Sequence, residues 1–219
     1  TEIGKLSLLG RISLRENELT GTLPTEIGLL ARLTSLDCRV NMFNGTLPLE
    51  LGNLTRLAIL SMNDNRFTGI LPTQISNFGS LATMELSNNA IGGSIPTEVG
   101  LLTNLQTWNV SSNQLVGSIP TQIGGLTGLQ VLALSANMLT GSLPATISSC
   151  TGLVQLWVNN NMLQGTLPVG LSNLTDLVSL RIEGNALTGS VPVGVCNVLN
   201  NEPGQSGLTA DCGEIRCCS

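Results

Sequence analysis

The 219 residues contain no histidine and no tyrosine, and their aromatic side chains amount to two Trp and three Phe. Without histidine the chain lacks the commonest general base and the commonest metal ligand. It also lacks the G-x-S-x-G, H-E-x-x-H and phosphate-loop patterns of familiar catalytic sites. No apolar run reaches the roughly 18 residues that a membrane span requires, and no secretory leader opens the sequence. Charge is sparse at 11%, with nine Lys+Arg against fourteen Asp+Glu and a net charge of −5. Such a balance offers no basic face for nucleic acid or anionic lipid. Hydrophobic residues make up 42%, enough for a continuous core.

The sequence is rich in repetition. Pro24, Pro48, Pro72, Pro96, Pro120, Pro144, Pro168 and Pro192 stand 24 residues apart, and Asn17 to Asn185 and Gly21 to Gly189 keep the same beat. A fixed period in this range marks a solenoid, in which each repeat is one turn and touches only its neighbours. Thr1-Glu2-Ile3-Gly4 aligns with Thr25-Glu26-Ile27-Gly28, so the chain opens inside a repeat and reads as a mature or trimmed piece without its N-terminal cap.

Residues 57–80 show how one repeat becomes one turn. Leu57, Leu60, Met62 and Asn65 match L-x-x-L-x-L-x-x-N. Leu60 and Met62 are two apart and face the interior of a short strand, while Ser61 points outward. Stacked turns place these strands in parallel about 4.8 Å apart. Asn65 follows in the bend, where an amide can satisfy backbone groups that no strand ladder reaches. Gly69 permits a backbone conformation closed to other residues. Leu71-Pro72 is extended, and Thr73 is expected to cap a short helical turn carrying Ile75 and Phe78 inward. Leu57, Leu60, Met62, Phe67, Leu71, Ile75 and Phe78 are the expected core of the turn. Each well-buried apolar side chain contributes about 1.5–3 kcal/mol, too little for one turn to offset its ordering entropy but enough for a stack.

The segments Leu19-Thr20-Gly21-Thr22-Leu23-Pro24 and Leu187-Thr188-Gly189-Ser190-Val191-Pro192 resemble the L-T-G-x-I/L-P form of plant-type leucine-rich repeats. That form occurs in ectodomains of receptor-like kinases, receptor-like proteins and polygalacturonase-inhibiting proteins. The resemblance covers nearly residues 1–195 and implies an α/β solenoid. Its parallel sheet would line the concave face of a right-handed superhelix, with short helical or 3₁₀ turns on the convex face. It also implies an extracellular module that binds a protein, peptide or glycan; the missing histidine and catalytic motifs lead us to expect no enzyme, cofactor or metal. The tail ending Glu214-Ile215-Arg216-Cys217-Cys218 resembles secreted or surface leucine-rich repeat proteins of diatoms and related algae, and residues 196–219 are expected to form a disulfide-rich cap.

Cys38 and Cys150 occupy core registers five turns apart, roughly 24 Å, and are expected to be buried free thiols. Cys196, Cys212, Cys217 and Cys218 crowd the region where the repeat breaks down. Four cysteines allow three pairings. Adjacent cysteines seldom bridge, so Cys196 and Cys212 are each expected to take one of Cys217 and Cys218. A zinc site is the competing reading, with a spacing unlike a finger. Disulfides imply an oxidising compartment. The sequons at Asn44, Asn53, Asn109 and Asn173 agree with that setting.

Three outward columns on the sheet face hold the candidate ligand residues. Trp157 lies between inward Leu156 and Val158 and should face out, with Gln155, Asn159, Arg181 and Glu183 around it. An exposed aromatic beside arginine is a frequent interface anchor; a ring lying flat under Arg181 is the plainer alternative. Trp108 holds an inward register. Arg11, Arg15 and Arg39 form a second group, readable as a salt-bridge lattice with Asp37 and Glu16 or as an anion site. Asp37, Asp64 and Glu85 come from successive turns and raise the less favoured possibility of a carbohydrate-active enzyme. The return side carries a column of Thr22, Thr46, Ile70, Ser94, Ser118, Ser142, Thr166 and Ser190. Ile70 interrupts the column, and solvated strand positions of good β propensity are its default reading; a hydroxyl ladder suggests, as an alternative function, a structural surface or one that orders water or ice.

Overall fold

The computed structural model describes residues 2–200, 208–209 and 215–216. Strands of three residues recur once per turn, from Arg11–Ser13 and Ser35–Asp37 through Gln155–Trp157 to Ser179–Arg181. They pair in parallel and, with Leu208–Thr209, build one nine-stranded sheet in simple sequential order. Register across the first eight strands is a full repeat: Ser35 lies beside Arg11, Asp37 beside Ser13, and Trp157 beside Arg181. Each inward residue therefore stacks on its equivalent. Leu36, Leu60, Met84, Trp108, Leu132, Leu156 and Leu180 form one buried line.

The asparagines close the bend after each strand. Asn65 Nδ2 donates to the carbonyls of Cys38, Met62 and Asn63 at 3.0–3.2 Å, and its Oδ1 accepts from the Phe43 N–H at 3.0 Å. The same four-bond pattern recurs at Asn137 and Asn161, whose side chains are buried. One amide thus ties the ends of two main-sheet strands to the start of the chain's return path in the preceding turn.

On the return side, short strands such as Met42–Thr46 and Gln114–Ser118 make several small parallel sheets, followed by 3₁₀ turns such as Thr73–Asn77. The extended prolines, not the threonines, occupy the N-cap position: Pro72 has φ −73° and ψ 143°, and no side-chain cap bond forms. Thr73 is already the first residue of the turn, and its hydroxyl hydrogen-bonds Gln74 Oε1 at 3.4 Å instead. All seven expected core residues of that repeat are buried. At the C-terminal end the 3₁₀ turn is replaced by an α-helix, Val193–Asn200, which packs on the turn Val169–Asn173.

Candidate functional site

On the main-sheet face, full-repeat register sets outward side chains of equivalent position side by side. Trp157 is half-buried. Its indole Nε1 donates to Ser179 Oγ at 2.9 Å, and the Arg181 guanidinium carbon sits 4.6 Å from the ring centroid. Ala133, only 1% exposed, is its neighbour on the other side. Gln155 stands beside Ser179 on the same pair of strands. Asn159 accepts from Ser135 Oγ at 2.5 Å, and Glu183 accepts from Thr209 Oγ1 at 2.5 Å. The ring is thus held in one pose by a hydrogen bond at its edge and a cation over its face. Trp108 is fully buried, and its Nε1 has no hydrogen-bond partner among the described residues.

The arginine group lies elsewhere. Four strands separate Ser35–Asp37 from Gln155–Trp157, about 24 Å at strand spacing. Arg11, Arg15 and Arg39 line a trough of about 460 Å³ together with Ser13, Ser35, Asp37, Ser61 and Glu85. Arg39 Nη2 is 3.2 Å from Asp37 Oδ2, and Arg15 Nε is 3.8 Å from Glu16. Part of the group is therefore a salt-bridge lattice. The two groups of predicted ligand residues lie on separate stretches of the sheet face.

Asp64 departs from the expected sheet-face position. It sits in the bend beyond Ile59–Ser61 with φ 57°, and its carboxylate accepts from Asn63 Nδ2 at 2.6 Å and Asn88 Nδ2 at 2.7 Å. That carboxylate closes a turn, so Asp37, Asp64 and Glu85 do not share one face. Among the described residues no group of three or more His, Cys, Asp or Glu could hold a metal ion.

Asn53 and Asn173 are exposed at the ends of the 3₁₀ turns Leu49–Asn53 and Val169–Asn173, and Asn44 is exposed within Met42–Thr46. Asn109 is half-buried on the main sheet, accepting from the Ser111 N–H at 3.1 Å. Burial, then the neighbouring Asp37 charge, pushes the Cys38 thiol up to about 12; burial pushes Cys150 to about 11. Both are free. Cys196 is disulfide-bonded, whereas Cys212, Cys217 and Cys218 lie outside the described residues.

The return side has a feature the repeat pattern did not reveal. There the register slips by two residues: Ser94 lies beside Val116, Ser118 beside Thr140, and Thr46 beside Thr68. Equivalent hydroxyls therefore run diagonally, about 8 Å apart, and not as a straight ladder at strand spacing. The side chain of one turn rests on the glycine of the next. A Cβ on Gly45, at φ 73°, would meet Thr22 Cγ2 at 2.7 Å. In the early turns Ile70, 62% exposed, and Leu49, 56% exposed, line an apolar groove of about 700 Å³ with Leu47 and Pro72.

The family model described as Leucine Rich Repeat matches residues 56–78, 128–150 and 152–174. No curated protein matches the chain. Among solved structures, a TDR receptor shares 33% identity and a TM-score of 0.89, covering 95% of this chain and 35% of its own. The Arabidopsis receptor kinase HAESA, in complex with the peptide hormone IDA and a co-receptor, shares 32% identity and a TM-score of 0.83, covering 87% of this chain and 32% of its own. A plant ice-binding protein shares 26% identity and a TM-score of 0.71, covering all of this chain (100%) and 76% of its own. The chain spans about a third of the length of the two receptors.

Proposed function

We propose that this leucine-rich repeat solenoid is an extracellular, non-catalytic recognition module that binds a peptide, protein or glycan on its main-sheet face, centred on Trp157. The observation that carries the reading is the posture of that ring. It is outward, pinned at its edge by Ser179 and covered by Arg181. A side chain already fixed in its bound pose loses little freedom on binding, and aromatic and arginine anchors dominate interface energies. Gln155 supplies an amide beside it, and Asn159 and Glu183 line the next column. The fold is that of HAESA, solved with a peptide hormone, and of the TDR receptor. Arg15 and Arg39 form a second, anion-accepting patch some 24 Å away, so a ligand reaching both must be extended.

A peptide and glycan binding array of the protein tests the reading. With a ligand in hand, Trp157→Ala is expected to weaken binding by at least about 2 kcal/mol. Unchanged affinity rejects the Trp157 site.

A second reading, ice or ordered-water binding, is favoured by the likeness to the plant ice-binding protein along the whole of this chain. Thermal hysteresis at high protein concentration tests it, and none removes it.

A further inference from the structure

The geometry points to the return side of turns four to eight as an ice-contact face; this inference rests on the second reading above. Three outward positions recur on each return strand, at the registers of residues 18, 20 and 22. In the first three turns they include Glu18 and Arg66, and the groove around Ile70 breaks the surface. From Ala90 to Ser190 none of the fifteen such positions carries a charge. They hold Ala, Gly, Ser, Thr, Val, Gln and Met. The hydroxyl column Ser94, Ser118, Ser142, Thr166 and Ser190 is exposed throughout.

Absence of charge matters because a crystal of water cannot rearrange around an ion. A charged side chain pressed against it gives up hydration without a compensating partner. Short side chains matter as well, since Ser, Ala and the stiff Thr and Val lose little rotamer freedom on contact. The glycine column fixes the relief. A Cβ on Gly189, at φ 91°, would meet Thr166 Cγ2 at 3.1 Å, and one on Gly141, at φ 74°, would meet Ser118 Cβ at 3.3 Å. The Thr166 methyl therefore nests over the next turn's bare backbone and leaves its hydroxyl facing away.

The two-residue slip turns the face into an oblique mesh. Neighbours stand about 4.8 Å apart across strands and about 6.7 Å along them. Both lengths are of the order of oxygen repeats on ice faces. Hydroxyls and apolar side chains share the rows: Ser94 is followed by Val116 and Met138, and Ser118 by Thr140. No sequon falls on this face: Asn53 and Asn173 lie on the 3₁₀ side, Asn109 on the main sheet and Asn44 in the second turn. Attached glycans would leave it open. The main-sheet and 3₁₀ faces carry charges such as Glu85, Arg181, Glu98 and Asp176 and do not meet the same requirement.

The experiment measures thermal hysteresis and partition into a growing ice front for the whole chain and three variants. Thr140→Tyr raises a bulky ring in the middle of the mesh, Ser118→Lys adds a charge beside it, and Thr127→Tyr is an exposed control beyond the 3₁₀ turn. Circular dichroism and melting temperature confirm folding, and Ser118→Lys carries the test if Thr140→Tyr unfolds. Expected are activity in wild type and Thr127→Tyr, and a several-fold loss in the other two. Activity undiminished in both face variants overturns the assignment of the face while the ice reading stands. No activity in the wild type overturns both.

Discussion

The two sides of the coil are built from the same eight turns yet align them differently. On the main sheet, residue i stands beside residue i+24, as Leu132 beside Leu156. On the return side, residue i stands beside i+22, as Val116 beside Met138. Equal repeat length therefore does not mean equal register. The main sheet runs unbroken through nine strands, whereas the return strands slide past one another and divide into pieces of two or three. Columns drawn from sequence are true neighbours on one face and diagonals on the other. The asparagine of each bend joins the two systems: Asn137 donates to Leu134 and Val110, at main-strand ends, and accepts from Leu115 on a return strand.

Cutting that joint should have the largest effect. Asn137→Ala is expected to lower unfolding free energy by about 3–5 kcal/mol, because several buried backbone groups lose partners worth about 1–3 kcal/mol each. Asn17→Ala, at the exposed end of the stack, should cost under about 1 kcal/mol since water replaces the amide. Urea denaturation of both variants checks the contrast. Similar losses would show that the bend does not depend on burial.

Next in size is the glycine column, which exists only on the return side. Gly45→Ala should cost about 2–3 kcal/mol, from the left-handed backbone and from the Thr22 methyl. Adding Thr22→Ser should recover the steric part in a double-mutant cycle. Thr107→Ala on the main sheet should stay under about 1 kcal/mol. Equal costs would erase the distinction between the sheets.

Smaller again is the strain in the bend. Val40, a β-branched residue 44% exposed, has φ 54°. Val40→Asn, matching Asn88 and Asn160 at the same register, should stabilise by about 1 kcal/mol. A lower melting temperature for the variant would refute this. Least of all is a pH effect at the main-strand end. Burial, then the Asp37 charge, pushes the Cys38 thiol up to about 12, against 9.0 for an ordinary thiol. Because the folded value is raised, its stabilising contribution is complete below about pH 9 and is lost as pH rises toward 12. At pH 10 the wild type should have lost about 1 kcal/mol relative to Cys38→Val, referenced to pH 7. Parallel stability curves for the two proteins would rule it out.

Much of this was legible in the residues. The period, the inward set of Leu57 to Phe78, buried Trp108 and outward Trp157 follow from spacing alone, because equivalent positions in stacked turns share an environment. The return-side slip is not legible, since spacing says which residues are equivalent and not which are adjacent. Nor are the left-handed bends at Val40 and Ala136, where neither residue type asks for positive φ. The sequence points Asp64 to the sheet face, and its two-amide clasp is not legible there because it depends on Asn88 of the following turn. For Trp157, the outward register is legible; its half-buried posture under Arg181 depends on a neighbouring strand.

The slip also has a mechanical consequence. Return strands displaced by two residues per turn cross the coil axis obliquely, tilted roughly 50° from the main strands' crosswise course. Pulling the coil end to end would load the main-sheet bonds head-on, one row at a time, like a zip. The return-side bonds would instead take the force partly in shear, sharing it among several rows. Resistance to stretching should therefore reside mainly in the fragmented, glycine-rich back of the molecule.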